Sequence, residues 1–192
     1  MSMYQINQTV QSEGMSTKIF PLGLTENVEM TDVAMDVATN GNSYLKYVFT
    51  AEDGSMVSHF EWPIDQNSEG WEKRLQSQMK RVKHILTKFL AEEDVEITAD
   101  SFETFGKQII AKLGNSYVGK KLRVKTIYSY NNYVSIPKYV PFMEHMDVEK
   151  SRLTITDFDK MEKDEPENPQ NLTTNVSGNG TSTEPAESDL PF

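Results

Sequence analysis

The dipeptide Asp53-Gly54 lies between two short apolar runs, Tyr44 to Thr50 and Met56 to Trp62. Asp-Gly flanked by such runs is a strong local signal for a β-hairpin, because both residues tolerate the left-handed backbone of tight turns. A two-residue loop would pair Glu52 with Ser55, and this register decides which side chains share a face. The predicted core face then carries Leu45, Tyr47, Phe49, Met56, Phe60 and Trp62. The opposite face, which would meet water or a ligand, carries Tyr44, Lys46, Val48, His59 and Glu61.

Two helices are predicted after this hairpin. From Trp71 to Leu90, apolar residues recur at helical spacing on one side, and six Lys or Arg lie on the other. A basic face of this kind is either an ordinary solvated surface or part of a groove that follows phosphates. A second helix is predicted from Phe102 to Leu113, with Asp100 as its cap and Gly114 as its terminator.

Three further segments are predicted as strands: Val28 to Val37, Lys121 to Tyr130 and Tyr133 to Tyr139. The last two flank Asn131-Asn132, which predicts a second tight hairpin. The order is then three strands, two helices and two strands, without the β-α-β alternation of a parallel sheet. This is the order of the OB-fold, a small barrel widely used for oligonucleotides. The predicted fold class is mainly β (α+β), an OB-fold-like five-stranded antiparallel barrel with a helical insert between strands 3 and 4. An open α+β sheet would give a similar order.

The composition of the chain changes near Lys160. Residues 160–192 are rich in Glu, Asn, Pro, Thr, Ser and Gly, with no aromatic residue before Phe192. Such a segment buries too little apolar surface to offset its ordering entropy, so it is predicted to be disordered. The expected organisation is a folded domain over residues 1–159 and a disordered acidic tail over residues 160–192. The tail carries seven acids and two bases, which is half of the chain's net charge of −10.

Charge is also segregated within the folded part, because residues 104–143 contain seven Lys or Arg and no acid. Aromatic residues are interleaved with these bases. Phosphates require cations and unpaired bases stack on flat rings, so the combination is typical of a surface for single-stranded nucleic acid. The candidate binding residues are Tyr44, Lys46, His59, Lys120, Lys121, Arg123, Lys125, Tyr128, Tyr130, Tyr133 and Lys138.

The predicted second hairpin separates these groups. Tyr128, Tyr130 and Tyr133 would share one face near its tip, whereas Arg123 and Lys125 would lie on the other. A bulge or the curvature of a barrel would be needed to bring both sets to one groove. The competing interpretation is that the tyrosines are strand formers in the core and the lysines are ordinary solvated charges.

The chain ends in Ser188-Asp189-Leu190-Pro191-Phe192, where two bulky apolar residues follow a polar segment. This ending resembles the C-terminal tip of bacterial and phage single-stranded DNA-binding proteins, a motif of the Asp-Asp-Ile-Pro-Phe type. Asp189, Pro191 and Phe192 match, Leu190 replaces Ile conservatively, and Ser188 departs from the second Asp. The resemblance implies an OB-fold, a disordered linker and a tip that recruits replication and repair proteins and also occupies its own DNA groove. It covers the tip and the composition of the tail.

Several classes of function are disfavoured. The chain has no cysteine, which excludes disulfides, thiolate metal sites and cysteine nucleophiles. The three histidines have no short metal-ligand spacing. The segment from Gly114 to Lys120 has the spacing of a P-loop, but a helix precedes it, a strand follows it, and Lys121 stands where Ser or Thr is required. No cofactor, metal or enzymatic activity is therefore predicted. A nuclease or other phosphotransfer enzyme, built on carboxylates that meet only in space, is the third class considered.

These features together predict a non-enzymatic protein of DNA replication, recombination or repair. It would bind single-stranded DNA without strong sequence preference and recruit partner proteins through its tail. The alternative is a protein-interaction adaptor of a replication or recombination complex that does not bind DNA.

No apolar run reaches the length of a membrane span, and Met1 to Ser16 lacks the apolar stretch of a signal peptide. The expected location is the cytoplasm of a bacterium or of a phage-infected host. Homo-oligomerisation and the choice between DNA and RNA are left open.

Overall fold

The computed structural model describes residues 18–164. Its strands are β1 (Gly23–Val37), β2 (Ser43–Thr50), β3 (Met56–Glu61), β4 (Lys121–Tyr128), β5 (Val134–Ser135) and β6 (Met143–His145), and its helices are α1 (Trp71–Leu86) and α2 (Phe102–Leu113). The strands form one antiparallel sheet in the order β3-β2-β1-β4-β5, and β6 also pairs with β4. The predictions for the segment before residue 18 and for the tail beyond residue 164, including Asp189 to Phe192, lie outside the described residues.

The strand β1 is long enough to pair with two other strands. Its first part, from Gly23 to Glu29, pairs with β4, and its second part, from Glu29 to Val37, pairs with β2. The register against β4 shifts just before Val28, where Asn27 has a positive φ of 57°. Asn accepts this backbone more readily than most other residues. β1 therefore joins the two halves of the sheet.

The first hairpin closes with three loop residues rather than two. Thr50 pairs with Met56, the Ala51 N–H donates to the Ser55 carbonyl over 2.9 Å, and Gly54 has a φ of 83°. This is the loop in which a type I turn is followed by a left-handed residue. The expected two-residue loop is therefore wrong by one residue, and every side chain of β3 changes face.

The shifted register reverses part of the predicted core. His59 and Glu61 turn inward and are buried, whereas Met56, Phe60 and Trp62 turn to the outer face. The predictions of His59 and Glu61 as surface residues, and of those three as core, are corrected by this loop. On β2, which lies before the loop, Leu45, Tyr47 and Phe49 are buried as predicted.

The second hairpin uses the same loop geometry. The Ser129 N–H donates to the Tyr133 carbonyl over 2.8 Å, and Asn132 has a φ of 60°. The loop therefore contains Tyr130 as well as the two asparagines. Because Tyr128 pairs with Val134, Tyr128 and Tyr133 lie on opposite faces, contrary to the prediction that they share one.

Both predicted helices are present. α2 has the predicted bounds and ends at Gly114, whose φ is 45°. Its cap is Ser101, which accepts a backbone N–H of the first turn over 3.1 Å, rather than the predicted Asp100. α1 begins as predicted but ends at Leu86, and the chain continues to Leu90 in turns.

The core is formed by the inner face of the sheet and one side of each helix. Tyr47, Phe49, Ile85 and Ile109 are fully buried in it. α2 approaches β1 most closely at Gly106, where an added Cβ would lie 2.1 Å from the Met35 Sδ. A side chain at this position of α2 would therefore displace the Met35 side chain.

The fold is mainly β, with both helices between the third and fourth strands as predicted, but the sheet is open. Within residues 18–164, β3 and β5 do not pair, so no closed barrel forms there. β5 has only two residues, and Pro137, which lacks an N–H, follows soon after it. The chain then bonds to α1 instead, since the Arg81 guanidinium donates to the Lys138 carbonyl over 3.2 Å.

Candidate nucleic-acid interface

The basic residues predicted on β4 are paired with acids from other parts of the fold. Lys121 contacts Glu29 of β1 at 2.7 Å. Arg123 contacts both Glu26 of β1, at 2.9 Å, and Glu144 of β6. The stretch is free of acids in sequence, but the neighbouring strands of the sheet supply them. These two cations are therefore largely neutralised before any ligand arrives.

Lys125 has an internal role. It is only 4% exposed, its Nζ lies 3.1 Å from an Asp159 carboxylate oxygen, and it sits 4.9 Å from the centroid of the Tyr139 ring. A buried ion pair of this kind ties the segment after β6 to β4. Lys120 is partly buried, and its Nζ donates to the Phe89 carbonyl over 3.3 Å.

The predicted tyrosines of the second hairpin are mostly exposed. Tyr130 and Tyr133 are 92% and 73% exposed at the loop. Tyr128 is partly buried and has the Lys163 ammonium 5.6 Å from its ring centroid. Lys160 donates to Asn132 over 3.0 Å, so residues assigned by sequence to the tail contact this loop.

His59 belongs to a buried polar network centred on Glu61. The Glu61 carboxylate receives two hydrogen bonds of 2.7 Å from the Arg81 guanidinium and lies 2.9 Å from the His59 Nε2. Gln78 of α1 donates to the same carboxylate and, over 2.8 Å, to the Trp62 carbonyl. Burial alone would raise the pKa of Glu61, but the bonds from His59 and Arg81 lower it to about 2. The network joins β3 to α1.

Three aromatic rings form a cluster on the outer face of β2 and β3. The Tyr44 ring lies 4.6 Å from the Trp62 ring and 5.6 Å from the Phe60 ring, between centroids. Phe60 is 43% exposed, and Lys46 stands directly opposite it on β2. Desolvation and a hydrogen bond to Asp36 raise the pKa of the Tyr44 phenol, so its hydroxyl stays neutral. The cluster offers flat apolar surface beside a cation.

A groove of about 600 Å³ runs between this cluster and α1. Phe60 and Trp62 form part of one side. The cations in its lining are Lys73, Arg74 and Arg81 of α1 and Lys138 after β5. The carboxylates in its lining are Glu61 and Asp65, so four positive charges face two negative ones, a balance of +2. Among residues 18–164, Lys73 and Lys138 form no ion pair.

The groove contains few of the residues that the sequence predicted as binding residues. Lys138 lines it, and Tyr44 and Lys46 belong to the adjoining aromatic face. The others lie elsewhere: His59, Lys120, Lys121, Arg123, Lys125, Tyr128, Tyr130 and Tyr133. Sequence reasoning missed Phe60 and Trp62, which it placed in the core. The available signal was the basic side of the first helix, which does form one wall.

Two further properties of residues 18–164 bear on membranes and on metal ions. Neither helix there is long and apolar enough to cross a membrane. Over the same residues, no group of three or more His, Asp or Glu side chains is placed to hold a metal ion. Comparison of the chain with protein-family models finds no match, and comparison with curated proteins also finds none.

Proposed function

We propose that this chain binds single-stranded DNA, without strong sequence preference, in the groove between β3 and α1. It acts as a non-enzymatic protein of DNA replication, recombination or repair. The observation that carries the proposal is that partly exposed rings, Phe60 and Trp62, line the same groove as three cations without an ion pair, Lys73, Arg74 and Lys138. Rings can stack on the bases of an unpaired strand, and cations can bind its phosphates.

The chemistry favours a single strand over a duplex. Stacking on an aromatic side chain requires a base whose face is exposed, and it is worth about 1–3 kcal/mol per base. Phosphates are attracted by Lys73, Arg74 and Lys138 through release of bound counterions. Neither interaction reads the edge of a base, so the binding tolerates any sequence.

The strand order supports the proposal. We interpret the order β3-β2-β1-β4-β5, with β1 shared between β2 and β4, as an open variant of the OB-fold, a small barrel used for oligonucleotides. Such proteins bind oligonucleotides on the face of strands 2 and 3 and with the loop between strands 4 and 5. Here that face carries Tyr44, Lys46 and Phe60, and that loop carries Tyr130.

The binding test is fluorescence anisotropy of labelled oligo-dT with the full chain at low salt. Phe60→Ala should weaken binding about tenfold, because one stacked base contributes about 1.4 kcal/mol. Phe158→Ala is the matched control, since Phe158 is also an exposed phenylalanine but lies outside the groove and outside β2 and β3. Equal effects of the two changes, or binding confined to duplex, would refute the proposed groove.

The second part of the proposal is that the acidic tail competes with DNA and recruits partner proteins. Residues 165–192 carry five acids and no base. Their removal should tighten binding to oligo-dT, because the proposed competition requires their negative charge, which would compete with phosphates for the cations of the groove. The truncation should begin after Asp164, since Asp164 and Lys160 bond to Asn132. Unchanged affinity would argue against competition by the tail.

The alternative is an adaptor that binds protein and not DNA. The exposed rings of Tyr130, Tyr133 and Phe158 are the features that favour it, because exposed aromatic residues are common at protein interfaces. The two functions are separated by the same titration. An adaptor would leave the anisotropy of oligo-dT unchanged even at low salt.

A further inference from the structure

The apolar stripe of α1 is only half covered. Its C-terminal part is buried, with Ile85 and Leu86 inaccessible to solvent. Its N-terminal part, which carries Trp71, Leu75 and Met79, remains partly exposed. A stripe of this kind normally packs against a neighbouring element along its length. Residues 18–164 therefore leave the N-terminal half of the α1 stripe accessible to a ligand.

A cavity of about 500 Å³ lies over this exposed half. α2 contributes Phe102 and Phe105, whose ring centroids are 6.5 Å apart, and the segment between the helices contributes Ile97. Thr98 and Asp100 supply polar groups to the lining. Apolar walls with a few polar groups are typical of small-molecule sites of this volume.

The cavity adjoins the proposed DNA groove. Pro63, Ile64 and Gln78 line both, so a strand in the groove passes the mouth of the cavity. The Gln78 amide nitrogen donates hydrogen bonds to the Glu61 carboxylate and to the Trp62 carbonyl. Its amide oxygen accepts no hydrogen bond from residues 18–164, although Gln78 is buried. A nucleobase has two apolar faces and a polar edge, which suits this lining.

We propose that the cavity between α1 and α2 receives one unstacked nucleobase of the strand held in the groove. The inference rests on the proposed function. Trp71, Phe102 and Phe105 provide rings for the faces of the base, and Gln78 accepts from its edge. The cationic groove holds the adjoining phosphates. The cavity thus adds a second stacking site beyond the outer face of β2 and β3.

Two single-tryptophan variants test the proposal, because the chain contains only Trp62 and Trp71. Trp62→Phe leaves Trp71 as the reporter of the cavity, and Trp71→Phe leaves Trp62 as the reporter of the groove. Each full-length variant is titrated with oligo-dT of about 16 nucleotides, the upper site size of an OB-fold. Fluorescence and anisotropy are followed together, and quenching of both reporters is the expected result.

The other outcomes separate the two proposals. Quenching of Trp62 with an unchanged Trp71 signal, while anisotropy reports binding, would overturn the cavity site and leave the groove intact. Unchanged anisotropy and no quenching of either reporter would overturn both. Quenching of Trp71 by a strand of abasic nucleotides would also overturn the cavity site, because no base is then present to enter it.

A cavity-filling variant provides an independent check. Ala99→Phe places a ring in the cavity, whereas Ala111→Phe adds the same ring at an exposed position of α2 outside the cavity. Ala99→Phe should weaken oligo-dT binding about tenfold and abolish quenching of Trp71 while Trp62 still responds. Ala111→Phe should bind normally. Equal binding by both variants, with unfolding temperatures like that of the parent chain, would contradict the proposal.

Discussion

The Glu61 side chain does more for this fold than its position in the sequence indicates. It is 2% exposed, and its carboxylate joins Arg81 of α1 to the inner face of β3. A buried charge is tolerated only when partners replace its hydration. The bidentate guanidinium and the His59 ring provide these partners. The network also sets the position of Arg81 beside the groove.

Glu61→Gln should destabilise the chain by about 3–5 kcal/mol, because it leaves the Arg81 guanidinium buried without its counterion. Glu103→Gln is the matched control: Glu103 and its partner Lys107 are both more than half exposed, so the loss should be much smaller than for Glu61→Gln. Unfolding in urea measures both. Similar losses for the two variants would contradict the importance of the buried network.

The Glu61 carboxylate should make the free energy of unfolding depend on pH. The pKa of Glu61 in the fold is about 2, below its ordinary value of 4.5, so its stabilisation is complete above pH 4.5 and is lost as the pH falls toward 2. At about 1.4 kcal/mol per pKa unit, the loss is about 3 kcal/mol. Urea unfolding between pH 4.5 and pH 2 measures it. In Glu61→Gln this part of the pH dependence should disappear.

Gly106 is a second residue whose role appears only in the packed structure. Gly106→Ala should gain about 1 kcal/mol from helix propensity but lose about 1–3 kcal/mol by overpacking against Met35. A net destabilisation of about 1 kcal/mol is expected, because the added Cβ would lie 3.0 Å from the Met35 Cγ as well as against its sulfur. The double variant Gly106→Ala/Met35→Ala should remove the clash. A double-mutant cycle without coupling would contradict this contact.

At the scale of elements, the two hairpin loops decide which faces the strands present. Both loops contain three residues, and the third residue, Gly54 or Asn132, has a left-handed backbone. The Asp53 carboxylate also accepts from the Ser55 N–H over 2.9 Å, which holds the first loop in this form. One additional loop residue brings Phe60 to the outer face and buries His59. The aromatic cluster on β2 and β3 therefore depends on loop length.

Gly54→Ala should cost about 1–2 kcal/mol, because an alanine at a φ of 83° brings its Cβ too close to the backbone. A clash with other residues does not cause this destabilisation, since nothing lies within 4 Å of the added Cβ. Glu52→Ala, in the same loop and exposed, is the control and should change the free energy of unfolding by less than about 0.5 kcal/mol. Equal effects would show that the backbone at Gly54 is not the limiting feature.

At the scale of the whole molecule, folding neutralises much of the basic charge that is visible in the sequence. Lys121, Arg123 and Lys125 pair with Glu29, Glu26 and Asp159 respectively. In the groove beside α1, Lys73, Arg74 and Lys138 form no ion pair among residues 18–164 and remain available for a ligand. Because the chain as a whole carries −10, any attraction for DNA must come from this local balance.

The salt dependence of binding should therefore be shallow. With Lys73, Arg74 and Lys138 as the phosphate contacts, the slope of log affinity against log salt should be about −2, from about −0.7 per contact. Lys73→Gln should reduce the slope by about 0.7. Lys121→Gln is the matched control, because Lys121 already pairs with Glu29. An equal change in both variants would place phosphates along β4 instead.

Local sequence signals predicted the kinds of elements well. The bounds of α2 follow from its apolar spacing and from Gly114, and both hairpins were found from turn residues. The strand β6 was missed because three residues between loops carry no periodicity. Loop length was missed because Asp-Gly and Asn-Asn serve two-residue and three-residue loops equally well. The faces of β3 were reversed for that reason alone.

The sequence by itself determined both helices, the first five strands, their order and the mainly β class, because these depend on neighbours a few positions apart. Only the tertiary structure decided which cations remain unpaired, since Glu26, Glu144 and Asp159 are far in sequence from Arg123 and Lys125. It also decided that Phe60 and Trp62 face Lys73 and Lys138 across one groove. Charge pairing and shared grooves arise from contacts between distant residues, which local patterns do not contain.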